Sequence, residues 1–306
     1  MRLLIEIPTW LGDSVMVTPA IENILVNYDN SELTFIGSEI GTSIFKLHPN
    51  LKEIIVIKNK SYRSLYQISR TMPKYDIFFS FRSSIRSSFL MFLVNAERKF
   101  KFDKSKFYEG HQVEKYNNFI NKSLGIKSSP GKLIVYKTAK NKKNLKLKLG
   151  INPGASYGSA KRWYPEEFAK VAMNLADKYD IFIFGSVKEK SIANDIESHL
   201  RNFKIGNFVN LAGKTSILEL INLISQMDLF ITGDSGPMHL AAAFQIKTVS
   251  IFGPTDMKST CQWMNNYSIN LSKELKCQPC MKRTCPLNHH NCMREIKSDD
   301  VLSVIN

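Results

Sequence analysis

Gly233-Asp234-Ser235-Gly236-Pro237-Met238-His239-Leu240-Ala241-Ala242-Ala243 follows an apolar run, Met227 to Thr232, that reads as a buried strand. The stretch ends in small apolar residues suited to a helix packed closely on a sheet. A strand turning straight into a helix is the repeating step of a parallel α/β sheet. Such a turn also leaves helix N-terminal amides able to hold an anion. Glycine permits the tight turn and the close approach of a phosphate, and Pro237 fits the first helical turn. His239 falls one turn in. An ordinary capped helix would read the same way, so the rest of the chain has to decide.

Working outward, the same rhythm recurs in both halves. In the N-terminal half, strands are expected at Leu3–Ile7, Leu33–Ile36, Ile54–Ile57, Tyr75–Phe79 and Arg98–Phe102. Helical patterns from about Ser14 to Val26 and at 40–47, 61–71, 83–94 and 111–123 separate them. Gly125 to Asn144 is rich in Lys, Ser, Asn, Pro and Gly and reads as a connection. The rhythm then restarts with strands at Lys148–Asn152, Ile181–Phe184, Phe208–Leu211, Leu229–Thr232 and Thr248–Phe252. Helices at Pro165–Lys178, Lys188–Leu200, Ser216–Gln226 and Pro237–Phe244 alternate with them. The expectation is α/β: two Rossmann-like, doubly wound domains, 1–145 and 146–306, facing across a cleft, with ligands at the carboxyl ends of the strands.

Composition sets the bounds. The chain has 306 residues, 43% hydrophobic and 23% charged, as in a soluble globular protein. No apolar run approaches the roughly 20 residues that cross a bilayer. Leu3 to Ile7 is interrupted by Glu6 and no small-residue cleavage site follows, so no signal peptide is expected and the cytoplasm is the expected location. The net charge of +15 is concentrated: residues 51–110 hold 13 Lys/Arg against 5 Asp/Glu, and residues 132–148 hold seven Lys and no acid. Such a field favours an anionic partner, although a lysine run is also an ordinary solvated face. Interleaving with Tyr62, Tyr66, Phe81 and Phe89 makes 51–110 the more credible binding face.

Three polar loops sit where strands feed helices. In Thr9-Trp10-Leu11-Gly12-Asp13-Ser14, Asp13 reads either as a helix N-cap or as a general base at the cleft floor. Asn152-Pro153-Gly154-Ala155-Ser156-Tyr157-Gly158-Ser159-Ala160-Lys161-Arg162-Trp163 is long, rich in Gly and Ser, and ends in two cations before a helix start at Pro165. Those groups suit a diphosphate, although neither a Walker A nor a Gly-x-Gly-x-x-Gly pattern is present. The third loop is the turn at 233–236, and Gly253-Pro254-Thr255-Asp256 after the next strand would lie beside it. Two phosphate-friendly turns and a carboxylate on another domain suit group transfer.

These segments together resemble glycosyltransferase family 9, the ADP-heptose:lipopolysaccharide heptosyltransferases. The resemblance rests on Ile7 to Ala20, on Asn152 to Trp163 with its Ala-Lys-Arg-Trp, on Asp234 to Ala243 and on Phe252-Gly253-Pro254-Thr255-Asp256. It spans nearly the whole chain. It implies the GT-B fold and an inverting enzyme with an N-terminal acceptor domain and a C-terminal donor domain. The implied transfer runs from ADP-L-glycero-β-D-manno-heptose to an inner-core heptose on Kdo-lipid A, at the inner face of the inner membrane. By the same resemblance Asp13 is the general base and Lys161 steadies the leaving diphosphate. Ser156 and Tyr157 reach the phosphates. Asp234, Ser235, Gly236 and His239 form the donor turn, and Glu189 lies toward the adenosine end. With no Asp-x-Asp pair and a lysine available, no metal or other cofactor is expected.

Cys277-x-x-Cys280, Cys285 and Cys292, with His289 and His290, have a spacing that could ligate zinc. The resemblance implies no metal role for them, and reduced thiols are expected in a cytoplasmic protein. The Cys/His segment is similar to the branch of the family that adds the second heptose. Rival expectations are the branch that adds the first heptose, a nucleotide-sugar epimerase of similar fold, and a basic nucleic-acid-binding protein. The last lacks any recognisable nucleic-acid motif and would leave the glycine turns idle.

Overall fold

The computed structural model describes residues 1–59, 61–107, 109–138 and 146–305. The chain divides into two compact units, Met1–Tyr136 and Lys137–Asn306. The expected boundary after residue 145 borders 139–145, which lie outside the described residues, as do Lys140, Lys142 and Lys143 of the lysine run.

In the first unit, β1 (Arg2–Glu6), β2 (Glu32–Gly37), β3 (Leu51–Val56), β4 (Tyr75–Ser80) and β5 (Ala96–Lys101) form one parallel sheet in the order β3-β2-β1-β4-β5. The three central strands are buried nearly throughout, which is why they read as continuous apolar runs. β3 and β5 carry charged, partly exposed residues, as sheet edges do. Helices at Leu11–Met16, Thr18–Asn27, Glu39–Ser43, Tyr62–Thr71, Ile85–Leu93 and Gln112–Leu124 link and follow the strands. The single helix expected from Ser14 to Val26 is two. Val17 closes the first and caps the second, and Pro19 stands in the opening turn of the second. Proline has no N–H to continue the ladder, so the helix restarts there.

In the second unit, β6 (Leu147–Asn152), β7 (Tyr179–Ile183), β8 (Phe208–Asn210), β9 (Leu229–Gly233), β10 (Lys247–Phe252) and β11 (Ser268–Ser272) form a parallel sheet in the order β11-β10-β9-β6-β7-β8. Edge strand β11, Ser-Ile-Asn-Leu-Ser, is half-exposed and too polar to stand out in the sequence. Trp163 anchors the core: it is 1% exposed, its ring packs edge-on to Phe168 at 4.8 Å, and its indole N–H donates to the Ile296 carbonyl at 2.9 Å. That burial fixes the end of the 152–163 loop.

Both sheets reverse direction of growth after their third strand. Chain order runs β1-β2-β3 one way and β4-β5 the other; β6-β7-β8 and β9-β10-β11 do the same. The crevices outside the carboxyl ends of β1/β4 and of β6/β9 are therefore the topological switch points, where open α/β sheets bind ligands.

Around the first of these, Gly41 is required by close approach. A Cβ there would collide with the Pro8 carbonyl oxygen and lie 2.9 Å from the Ser14 hydroxyl. Gly41→Ala is expected to cost about 1–3 kcal/mol by overpacking, whereas Gly206→Ala, where a Cβ meets nothing within 4 Å, leaves stability unchanged. Thermal unfolding of the two variants checks the contrast.

Candidate active site

The second switch point gathers most of the expected donor residues. Lys161, at the end of a short 3-10 turn (Ser159–Lys161) in the loop after β6, places its Nζ 2.5 Å from Asp234 Oδ2 in the turn after β9. The same Nζ lies 3.3 Å from the Asp234 carbonyl oxygen. Thr255, in the loop after β10, donates its hydroxyl to Asp234 Oδ2 at 2.7 Å. One carboxylate thus ties together the loops of three strands. Beneath it, Asn152 at the end of β6 donates to Ser235 Oγ at 3.1 Å and Thr232 Oγ1 at 3.3 Å. Lys161 and Asp234 side chains are 12% and 6% exposed, so the pair is shielded from bulk water and its attraction is little screened.

Ser235 stands at the N-cap of the helix Gly236–Ala243, and among the described residues no side chain caps its first turn. That agrees with a turn kept open for an anion. Ser235 and Gly236 are half-buried and Ser156 is exposed, all within reach of solvent, whereas His239 is buried at 2% exposure. Tyr157 commits its hydroxyl to the Met281 carbonyl at 2.7 Å, while its ring lies 4.9 Å from Lys161 Nζ. Glu189 is 7% exposed and accepts from the Ser186 N–H at 2.7 Å, closing a capping box. Its carboxyl also fills the space a side chain at Gly154 would need, so it packs against the 152–163 loop.

The Cys/His segment backs that loop, a role the sequence did not announce. The Ala160 N–H donates to the Arg283 carbonyl at 3.0 Å, and a Cβ at Gly158 would collide with the same oxygen. His290 bridges the Ala160 carbonyl at 2.9 Å and the Tyr164 hydroxyl at 3.2 Å. Cys277, Cys280, Cys285 and Cys292 are free thiols lining one pocket with His289 and His290. Among the described residues, no three Cys, His, Asp or Glu are gathered into a metal-ligand set.

In the first unit, Asp13 is not an N-cap. Trp10 takes that position, and Asp13 stands third in the helix Leu11–Met16. The capping alternative therefore fails, because the helix starts earlier than the Asp-Ser pair suggests. Tyr116, from the helix Gln112–Leu124, donates its hydroxyl to Asp13 Oδ1 at 3.3 Å. Burial, reinforced by the Asp13 carboxylate, holds the Tyr116 hydroxyl well above its usual range, so it stays a donor. Nothing local in the sequence pairs residues 103 positions apart.

The thiols differ in a testable way. The His290 N–H pointing at its sulfur pulls Cys285 below the usual thiol value. Burial, then the neighbouring thiols, pushes Cys292 up to about 11. Since the thiolate is the nucleophile, iodoacetamide near neutral pH is expected to modify Cys285 well before Cys292 in a peptide-mapping time course.

Residues 70–291 match the family model of glycosyltransferase family 9 (heptosyltransferase). A lipooligosaccharide heptosyltransferase 2 from Campylobacter jejuni is 42% identical over 311 residues, covering 99% of this chain and 96% of that protein. The solved structure of E. coli ADP-heptose LPS heptosyltransferase II superposes with a TM-score of 0.82 at 20% identity, covering 100% of this chain and 98% of that one. E. coli heptosyltransferase WaaC with ADP-2-deoxy-2-fluoro heptose does so with 0.74 at 16%, covering 100% and 99%. At those identities the structural likeness fixes the fold, which is GT-B. The nucleic-acid and epimerase expectations gain no support. With the family model covering most of its length and a relative matched nearly end to end, the chain belongs to glycosyltransferase family 9, the heptosyltransferases.

Proposed function

We propose that this glycosyltransferase moves L-glycero-D-manno-heptose from ADP-heptose to the first inner-core heptose of a Kdo-lipid A acceptor, inverting the anomeric centre. The observation that carries the reading is the Lys161–Asp234–Thr255 cluster at the second switch point, in a chain 42% identical to a heptosyltransferase 2.

In this mechanism the acceptor hydroxyl oxygen attacks the anomeric carbon while Asp13 takes its proton. The bond from that carbon to the diphosphate oxygen breaks, and ADP leaves with the electron pair. Negative charge grows on the leaving group, and a fixed cation with helix amides lowers the barrier without reorganisation. Lys161 and the first turn of Gly236–Ala243 supply them, so a metal has no necessary part. Asp234 holds Lys161 in place and lies toward the sugar, while Ser156 and Ser235 offer hydroxyl groups. The Tyr116 hydroxyl orients the Asp13 carboxylate. Glu189 and Tyr157 act less directly, by shaping the loop that the donor meets. His239, being buried, serves the donor turn from behind.

No helix among the described residues is long and apolar enough to cross a membrane. The basic stretch 51–110 would instead meet anionic headgroups at the cytoplasmic face of the inner membrane, where each cation adds about 1 kcal/mol.

Purified protein given ADP-heptose and heptosyl-Kdo2-lipid A is expected to release ADP and add one heptose to the acceptor mass, in EDTA as in its absence. Asp13→Asn is expected to lower kcat by roughly 10²–10⁴-fold, the usual worth of a positioned general base. Transfer only to acceptor lacking the first heptose would move the protein to the branch that adds that sugar. Absence of ADP release with either acceptor would overturn the reading.

A further inference from the structure

The first unit carries a buried charge that the mechanism above does not use. Glu6 ends β1 and is 2% exposed. Its carboxylate accepts from the Ser80 hydroxyl at 2.5 Å, the Ser87 hydroxyl at 2.9 Å and Arg82 Nη1 at 3.4 Å. Burial pushes the Glu6 carboxyl up, and the Ser80 hydroxyl and the Arg82 charge pull it back. A buried carboxylate is costly unless paired, and here the sheet position explains the expense. Glu6 and Ser80 end β1 and β4, so the group sits at the first switch point.

The two sheets have equivalent strand orders about their switch points. At the second switch point a carboxylate holds a lysine beside an open turn. At the first, a carboxylate holds an arginine in the loop after β4. Arg82 is 21% exposed, and Glu6 is its one charged partner among the described residues. Among the described residues its guanidinium makes one hydrogen bond, from Nη1 to Glu6. Arg86, on the first turn of Ile85–Leu93, adds a second cation whose charge reaches Glu6. Its Nε is buried and has no hydrogen-bond partner among the described residues.

We infer that Arg82 and Arg86, with Glu6 as the positioning residue, form an anion subsite at the β1/β4 crevice that binds an acidic group of the acceptor, a sugar carboxylate or a phosphate. The planar guanidinium fork suits either oxyanion. Asp13 follows β1 and Arg82 follows β4, so anion and attacking hydroxyl would be read from adjoining loops. This inference rests on the proposed transferase reading.

The test measures acceptor KM, donor KM and kcat for wild type, Arg82→Ala, Arg82→Lys and Glu6→Gln. Calorimetry of the delipidated, phosphorylated acceptor oligosaccharide without donor runs alongside. Arg82→Ala is expected to raise acceptor KM and weaken oligosaccharide binding roughly ten- to a hundredfold, with donor KM unmoved. Arg82→Lys, which keeps the charge and loses the fork, recovers part of both and covers the case in which the alanine variant fails to fold. Glu6→Gln is expected to raise acceptor KM more than it lowers kcat. An acceptor with reduced carboxyl groups and a dephosphorylated acceptor separate the two anions, because the variant's penalty disappears on whichever lacks the group read. Unchanged acceptor KM and oligosaccharide binding in Arg82→Ala and Arg82→Lys overturn the subsite while leaving transfer intact. Wild type that binds the oligosaccharide through Arg82 yet transfers no heptose overturns the transferase reading instead.

Discussion

The loops at the second switch point depend on one ion pair. Lys161 and Asp234 lie on loops that follow β6 and β9, neighbours in the sheet that are far apart in the chain. Their 2.5 Å contact, with the Thr255 hydroxyl on the same carboxylate, makes three loops one structure. A pair this shielded contributes little net stability, but removing one partner leaves the other charge buried, at a cost of about 3–5 kcal/mol. The arrangement is therefore better explained by what it holds ready. In the proposed transfer, a lysine fixed before substrate arrives does not have to be ordered during the reaction, which is the condition under which electrostatic stabilisation is most effective.

The surrounding packing serves that fixation. Trp163 is locked into the core two residues after Lys161, the Arg283 carbonyl accepts from the Ala160 N–H, the His290 ring donates to the Ala160 carbonyl, and Glu189 fills the space beside Gly154. The Cys/His segment acts here as a buttress for the 152–163 loop. Cys285 accepts from the His290 N–H and the His290 ring donates to the Ala160 carbonyl, so the thiol segment and the loop share one hydrogen-bonded chain that ends beside Lys161.

Much of this was legible in the sequence, for a physical reason. Central strands of a parallel sheet are buried on both faces, so Leu3–Ile7 and Leu229–Thr232 announce themselves, and the glycine turns after them mark the carboxyl edge. The pairing of the 253–256 loop with the 233–236 turn followed from parallel neighbours. What stayed hidden lacked a local signature. β11 is polar and half-exposed, and the break at Val17 depends on how Pro19 is accommodated. The Tyr116–Asp13 and Arg283–Ala160 contacts join residues more than a hundred positions apart. Glu6 was visible as an interruption in an apolar strand, and its pairing with Arg82 across two strands explains why an acid stands there. Asp13 misled in one respect: an Asp-Ser pair looks like a cap, but the helix had already begun at Leu11.

If Lys161 meets a diphosphate, removing its charge weakens ADP and spares adenosine, and calorimetric titration with each ligand reads both. Lys161→Met is predicted to weaken ADP roughly ten- to a hundredfold, the worth of a charged hydrogen bond, while adenosine binds as it does to wild type. Equal ADP affinity in variant and wild type would show that Lys161 does not hold the diphosphate.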